Sequence, residues 1–226
     1  MRSISFVTAA AVVLVACATP VATPASGVPT FAGQATTVAA GPTATSDTSA
    51  PAGTQDPFVQ NGIILAAPGC DGTFTPAQTE GPYYKAGSPE QNILYQGGMP
   101  GARLIVVGYV LNADCQPIPG AWLDFWQADA NGVYDNEGYT LRGNQFTDEQ
   151  GRYFLETVLP GEYPGRTEHI HVKVQSPGGK ILTSQLYFPG VAANSTDGIY
   201  TPATEVTVED HGDYQVADYD FVLNTK

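Results

Sequence analysis

Basic residues are scarce in this chain of 226 residues: nine Lys and Arg stand against 22 Asp and Glu, a formal net charge of −13. A polyanion gains nothing from a phosphate backbone, so nucleic acid is excluded as a partner, and docking of the folded part on an acidic membrane surface is disfavoured on the same ground. No glycine-rich dinucleotide loop and no Cys-x-x-Cys-His haem attachment site occurs. No window combines helical period with helical length, which argues against a helical architecture. The apolar run at residues 4–15 is too short to span a bilayer. With three His and three Cys in the whole chain, each can be weighed individually.

Met1 and Arg2 give the N-terminus a short positive start, and the apolar run that follows ends in Leu14-Val15-Ala16-Cys17. This resembles the bacterial lipobox, in which the Cys is diacylated and becomes the mature N-terminus. The expectation is a lipoprotein signal peptide over 1–16 and an exported protein, lipid-anchored through Cys17 on the extracellular or periplasmic face of a bacterial cell envelope. An ordinary signal peptide with a chance Cys is the alternative. Two or three acyl chains anchor firmly where one binds only marginally. With Cys17 lipidated, Cys70 and Cys115 remain as a pair in an oxidising compartment, where a disulfide is expected. Residues 17–57 carry Ala, Thr, Pro, Ser and Gly with almost no charge, and such a segment cannot bury enough apolar surface to offset its ordering entropy. They read as the lipidated Cys and a disordered linker, and 58–226 as the folded domain.

From residue 58 short β-rich runs alternate with Gly/Pro turns. Strands are expected at 104–111 (LIVVGYVL), 121–127 (AWLDFWQ), 152–158 (RYFLETV), 169–175 (HIHVKVQ), 181–188 (ILTSQLYF), 205–208 (EVTV) and 216–223 (VADYDFVL). In the last, Ala217, Tyr219, Phe221 and Leu223 share one face. The fold class is all-β, a sandwich of mostly antiparallel strands.

His169 and His171 stand at i and i+2 of an expected strand, so they share a face, with Cα atoms about 6.6 Å apart. Both imidazoles can then reach one ion while Ile170, Val172 and Val174 face the core; two His on a solvated face is the plainer alternative. Tyr163 and Arg166 lie just upstream, and Tyr134 closes a Gly-rich loop after the strand that ends near Gln127. A phenolate is a hard anionic oxygen donor, and with two imidazoles it suits a ferric ion. The alternative for Tyr134 is a turn-end aromatic that covers the core, as Tyr139 and Tyr153 are expected to do. His211 is read in a solvated turn, both Trp in the core, and Arg166 as either a functional cation or a surface partner of Glu162 or Glu168.

Gln78-Thr79-Glu80-Gly81-Pro82-Tyr83-Tyr84, Pro119-Gly120-Ala121-Trp122, Trp126 through Tyr134, Leu141-Arg142-Gly143, Tyr163-Pro164-Gly165-Arg166, His169-Ile170-His171 and Gln185-Leu186-Tyr187-Phe188-Pro189-Gly190 occur in this order. Together they resemble the intradiol ring-cleavage dioxygenases, and most of all their short extracellular branch. The resemblance implies a transthyretin-like sandwich and one non-haem Fe(III) per chain, held by Tyr134, Tyr163, His169 and His171. It implies that Tyr163, Arg166 and Gln185 act in catalysis and that Tyr83 and Tyr84 lie near the substrate mouth. The implied substrates are a small aromatic diol and O2, and the product a muconate-type diacid. Two rivals differ in class. Non-enzymatic transthyretin-like surface binding modules share several of the turn motifs. His169, His171 and His211 with a carboxylate would instead make a zinc or copper site.

Overall fold

The chain divides into two units, Met1–Pro51 and Ala52–Lys226. The computed structural model describes residues 56–225, so the expectations for the signal peptide, Cys17 and nearly all of the linker lie outside the described residues. Within them no helix is long and apolar enough to cross a membrane.

Among the described residues nine strands form two sheets packed as a sandwich: β1 Arg103–Asn112, β2 Trp122–Gln127, β3 Arg142–Phe146, β4 Arg152–Val158, β5 His169–Gln175, β6 Ile181–Tyr187, β7 Thr207–Asp210, β8 Gln215–Asp218 and β9 Phe221–Leu223. The first sheet has the order β4-β1-β8-β7, with β9 also pairing β1, and the second the order β3-β2-β5-β6. All pairings are antiparallel except those of β1 with β8 and β9. The pleat explains the strand sequences. On β1, Leu104, Val106 and Val110 enter the central core, whereas Ile105 and Val107 join a second cluster with Phe58, Phe154 and Val216 on the sheet's outer face. A strand apolar on both faces reads as a continuous run, which is why 104–111 shows no alternation. On β5, Ile170, Val172 and Val174 face the core, and His169, His171 and Lys173 face outward.

Three elements differ from the sequence expectation. β3, RGNQF, is too polar to signal a strand; it is an edge whose open side is covered by the preceding chain, with Asn144 N donating to Pro89 O (3.0 Å) and Gln91 N to Asn144 O (2.9 Å). The strand expected at 205–208 lies two residues later, at β7. The run 216–223 breaks into β8 and β9 at Tyr219-Asp220. There the Asp220 carboxylate substitutes for a backbone acceptor, taking the Tyr109 N–H at 2.8 Å. At that crossing Gly108 (φ 149°) is needed, because a Cβ would sit 2.1 Å from Tyr219 O.

One turn of helix, α1 Pro57–Gln60, seats Phe58 in the second cluster, and Asp56 pairs with Arg152 at 3.0 Å. Cys70 and Cys115 are joined in a disulfide with Cα atoms 5.7 Å apart, within the range that such a bond requires.

Candidate metal centre

The outer face of the second sheet positions the site. In register across four strands stand Arg142, Trp126, His171 and Gln185, with His169 opposite Tyr187 in the next row. This face is not solvated: His169 and His171 are 2% and 1% exposed, so the plainer reading of the pair falls. Their Nε2 atoms are 3.1 Å apart. Tyr163 Oη lies 3.3 Å and Tyr134 Oη 3.5 Å from His169 Nε2. Four donor atoms from β5 and two loops thus converge on one small volume.

Their protonation follows from their surroundings. His169 Nδ1 is 2.6 Å from Thr167 O, an acceptor only, which assigns the hydrogen to Nδ1 and leaves Nε2 with a lone pair turned toward the tyrosines. Burial, then the Arg166 charge, pushes the His169 pKa down to about 4. Burial, then the neighbouring His169, holds His171 well below the usual imidazole range. Both rings are neutral, the form that binds metal. Burial raises both phenols, for Tyr134 with the nearby Tyr163 as the next cause; a cation at the convergence point would reverse this. His171 Nδ1, also buried, has no hydrogen-bond partner. Two facing imidazole nitrogens and two phenol oxygens, with few hydrogens to share among them, fit a hard cation. Among the described residues no group of three His, Cys, Asp or Glu could hold an ion. That removes the site built on His211, which instead stands exposed and pairs with Glu209 at 3.6 Å.

Glycines bring the two tyrosine loops together. Gly132 has φ +77°, and a Cβ there would lie 2.1 Å from Glu162 O. The loop that carries Tyr134 can therefore lie against the backbone just before Tyr163. Arg142, 1% exposed, ties the covering segment down: its Nη1 donates to Tyr83 O at 2.7 Å, and Nε and Nη2 donate to Asp135 O at 3.1 and 3.0 Å. Tyr83 stacks on Tyr134, with centroids 4.4 Å apart. Tyr84 turns the other way, donating to Asp124 Oδ2 at 3.1 Å, and burial with that carboxylate pushes its pKa up to about 12. Trp126 is buried as expected, in a separate cluster on the outer face, and stacks on His171 at 4.8 Å with planes 5° apart, whereas Trp122, also expected in the core, is only half-buried and donates to Asn144 Oδ1 at 3.2 Å.

Arg166 is neither free nor paired with Glu162 or Glu168. Its Nε donates to Asp197 Oδ2 at 2.9 Å, its Nη1 to Tyr163 Oη at 3.3 Å and its Nη2 to Gln185 Oε1 at 2.5 Å. Asp197 also accepts from the backbone N–H groups of Thr167 and Ile199, both at 3.0 Å. Burial opposes its charge, yet these backbone donors and Arg166 hold its pKa below the ordinary carboxylate value. Gln185 is oriented from its other end by Thr79 O, which accepts from Nε2 at 2.9 Å. Sequence reasoning missed Asp197, 31 residues from its arginine, and the stacking role of Trp126; neither has a local signal. Beside Tyr163 and Arg166 a cleft of about 410 Å³ opens, lined also by Glu162, Pro164 and Asp197.

Against known proteins, residues 79–224 match the family described as "Dioxygenase". The chain is 30% identical over 165 residues to the catechol 1,2-dioxygenase of Acinetobacter baylyi, which covers 60% of this chain and 53% of that protein. The dioxygenase domain of a dioxygenase–carbohydrate-binding protein fusion from Streptomyces sp. SirexAA-E superposes with a TM-score of 0.67 at 48% identity, covering 68% of this chain and 100% of that one. The 3-chlorocatechol 1,2-dioxygenase of Rhodococcus opacus superposes with a TM-score of 0.62 at 27% identity, covering 67% and 72%. The chain spans about half the length of the curated catechol dioxygenases it matches.

Proposed function

The chain belongs to the intradiol ring-cleavage dioxygenase family, and on that premise we propose that it is a non-haem Fe(III) enzyme that opens a catechol-type ring between its two hydroxyl carbons with O2 to give a muconate-type diacid. The observation that carries this is the convergence of Tyr134, Tyr163, His169 and His171 on one buried point. Bound there, ferric iron would supply the Lewis acidity that binds the diol as its dianion and makes the ring reactive toward O2.

The protein's own groups have distinct parts in this reading. The two imidazoles, kept neutral by burial, supply lone pairs without adding charge. Tyr134 is 7% exposed and boxed in by Tyr83, which suits a fixed ligand. Tyr163 is half-buried on the cleft side and touched by Arg166, which suits the tyrosine that yields its place to substrate and takes up a substrate proton at Oη. The Arg166 guanidinium, fixed by Asp197 and Gln185, is set to stabilise negative charge that gathers on the ring, an interaction stronger in the transition state than in the ground state. The disulfide and the Leu14-Val15-Ala16-Cys17 motif support a site of action outside the cytoplasm, on a lipid anchor at Cys17.

Metal analysis with a visible spectrum tests the reading. Purified protein should contain one iron per chain and show the red-brown colour of tyrosinate on Fe(III), and catechol under O2 should yield the ring-opened diacid by mass. A colourless protein without iron that turns over no diol would leave the surface-binding reading standing. His169→Ala or His171→Ala should remove both iron and colour, and full occupancy in either variant would overturn the site.

A further inference from the structure

A cavity of about 630 Å³ lies away from the metal centre, on the outer face of the first sheet. Its floor is formed by outward-facing residues of β1, β8 and β7, among them Val107, Val216, Asp218 and Glu209. Its roof is the strap of residues 62–76, which crosses over the sheet and carries Ile63 and Leu65. The strap is pinned by the Cys70–Cys115 bond, by Gly69 N donating to Asp220 Oδ2 at 2.8 Å, and by Thr75 N donating to Val222 O at 3.0 Å. The cavity is therefore a built space and not a gap between loose loops.

Its charge is one-sided. Asp71, Glu205, Glu209, Asp218 and Asp220 line it, and no Lys or Arg does. Four of these carboxylates have partners. Asp71 accepts from Thr73 N at 2.8 Å, Glu205 from Tyr200 Oη at 3.1 Å, and Asp220 from the N–H groups of Tyr109 and Gly69, while Glu209 faces His211 at 3.6 Å. Asp218 stands apart: half-buried, it has no side-chain hydrogen bond or ion pair among the described residues. Its pKa is pushed up to about 6, by burial first and then by Asp220 and Glu209. A positive charge beside it would offset the repulsion from Asp220 and Glu209 and favour its ionised form. A hydrated inorganic ion would strand the hydrocarbon of Ile63, Leu65, Val107 and Val216 against water, and an anion would face five carboxylates with no Lys or Arg to balance them. A single ammonium group on an apolar body matches both halves of the lining.

We infer that this cavity is a second ligand site, separate from the ring-cleavage centre, that takes a monocationic organic amine with its ammonium on Asp218 and its hydrocarbon between the strap and β1–β8. The diacid product of ring cleavage is excluded from it by sign.

The test is titration calorimetry on the full iron-loaded chain with phenethylammonium, against 2-phenylethanol as the uncharged isostere. The amine should bind with 1:1 stoichiometry and the alcohol at least tenfold more weakly. Asp218→Asn should weaken the amine at least tenfold. Thr207→Trp, placed at the exposed rim, should abolish binding by filling the space without altering charge. Catechol turnover should be unchanged in Asp218→Asn, and the amine should not compete with catechol. Because binding is read directly, its outcome is independent of whether the ring-cleavage reading holds. No amine binding to the unaltered protein, equal affinity for the alcohol, unchanged affinity in both variants, or competition with catechol would each overturn the inference.

Discussion

At the scale of single residues, the site depends on side chains that the sequence presents and on others that it hides. His169 and His171 are legible because strand geometry alone puts i and i+2 on one face, and Arg166 because it enters that strand. The residue that aims Arg166 is not legible: Asp197 comes from the turn after η1, the 3-10 segment Ala192–Ser195, and only the tertiary fold brings it under the guanidinium. Arg166→Lys should lower kcat at least about tenfold, about 1.4 kcal/mol of barrier, with iron and colour retained, because a mobile ammonium cannot hold the fork between Asp197 and Gln185. Asp197→Asn removes the charge that holds Arg166 and keeps one carbonyl acceptor where the carboxylate has two, Oδ2 for Thr167 N and Oδ1 for Ile199 N. It should lower kcat in the same direction while leaving KM and iron content nearly unchanged, whereas a purely structural role would show instead as a lower unfolding midpoint with normal kcat. Asp218 carries a pH signature of its own. Its folded pKa of about 6 lies above the ordinary value of 3.8, so the folded state holds this proton more tightly than the unfolded state. Its contribution to stability is complete below pH about 4 and is lost as pH rises through about 6. The full displacement from 3.8 corresponds to about 3 kcal/mol, and water at the cavity rim reduces this to about 1 kcal/mol. Asp218→Asn should therefore raise the unfolding midpoint at pH 7 and leave it unchanged at pH 4; an equal gain at both would mean that the carboxyl is ordinary.

Among the elements, the strands that bury one or both faces announce themselves and the rest do not. β4 and β5 lie where alternation and β-branching place them, and β1 is evident as an apolar run. β3 was missed because its residues serve the outer polar layer: Arg142 holds the covering segment, and Asn144 donates to Ser88 O at 2.7 Å. Gly143 in its middle has no room for a Cβ, with Gln91 O only 2.4 Å from that position. The split between β8 and β9 was hidden because Asp220 reads as a surface position in an alternating strand, while in the structure its carboxylate stands in for the ladder. The loops are the elements on which the metal centre depends most. Gly132→Ala would force a Cβ into Glu162 O from a left-handed backbone, a strain of roughly 1–2 kcal/mol before any clash is counted. The relief open to the chain is to move the Tyr134 loop away from Tyr163. The expected outcome is a shifted or lost tyrosinate band, with the sandwich still folded by circular dichroism. An unchanged band would show that the loops hold their contact by other means.

For the whole molecule, the sandwich separates two faces with different tasks. The outer face of β3-β2-β5-β6 carries the metal centre, and the outer face of β4-β1-β8-β7 carries the strap and the acidic cavity, with the apolar core between them. The sandwich class was legible from composition and turn spacing, since strand runs with Gly/Pro turns leave few other ways to bury the apolar faces. The strap was not, because residues 62–76 have no periodicity and are held by a disulfide and single hydrogen bonds. The disulfide closes a separation of 45 residues, for which loop-closure entropy gives roughly 4 kcal/mol. It ties the strap to the turn after β1 and touches nothing on the metal face. Cys70→Ser with Cys115→Ser should thus lower the unfolding midpoint markedly and weaken amine binding in the cavity. Below that midpoint, iron content, colour and ring cleavage should stay at their normal values, because residues 78–84, which cover the centre, are held to the second sheet by their own bonds, Gln78 N to Thr183 O at 2.8 Å and Gln185 Nε2 to Thr79 O at 2.9 Å. The measurement is thermal unfolding followed by circular dichroism and by the tyrosinate band in parallel, on the paired variant and the unaltered protein. Bleaching of the band in the variant well before the sheets melt would show that the two faces are coupled, and that the strap helps to hold the centre.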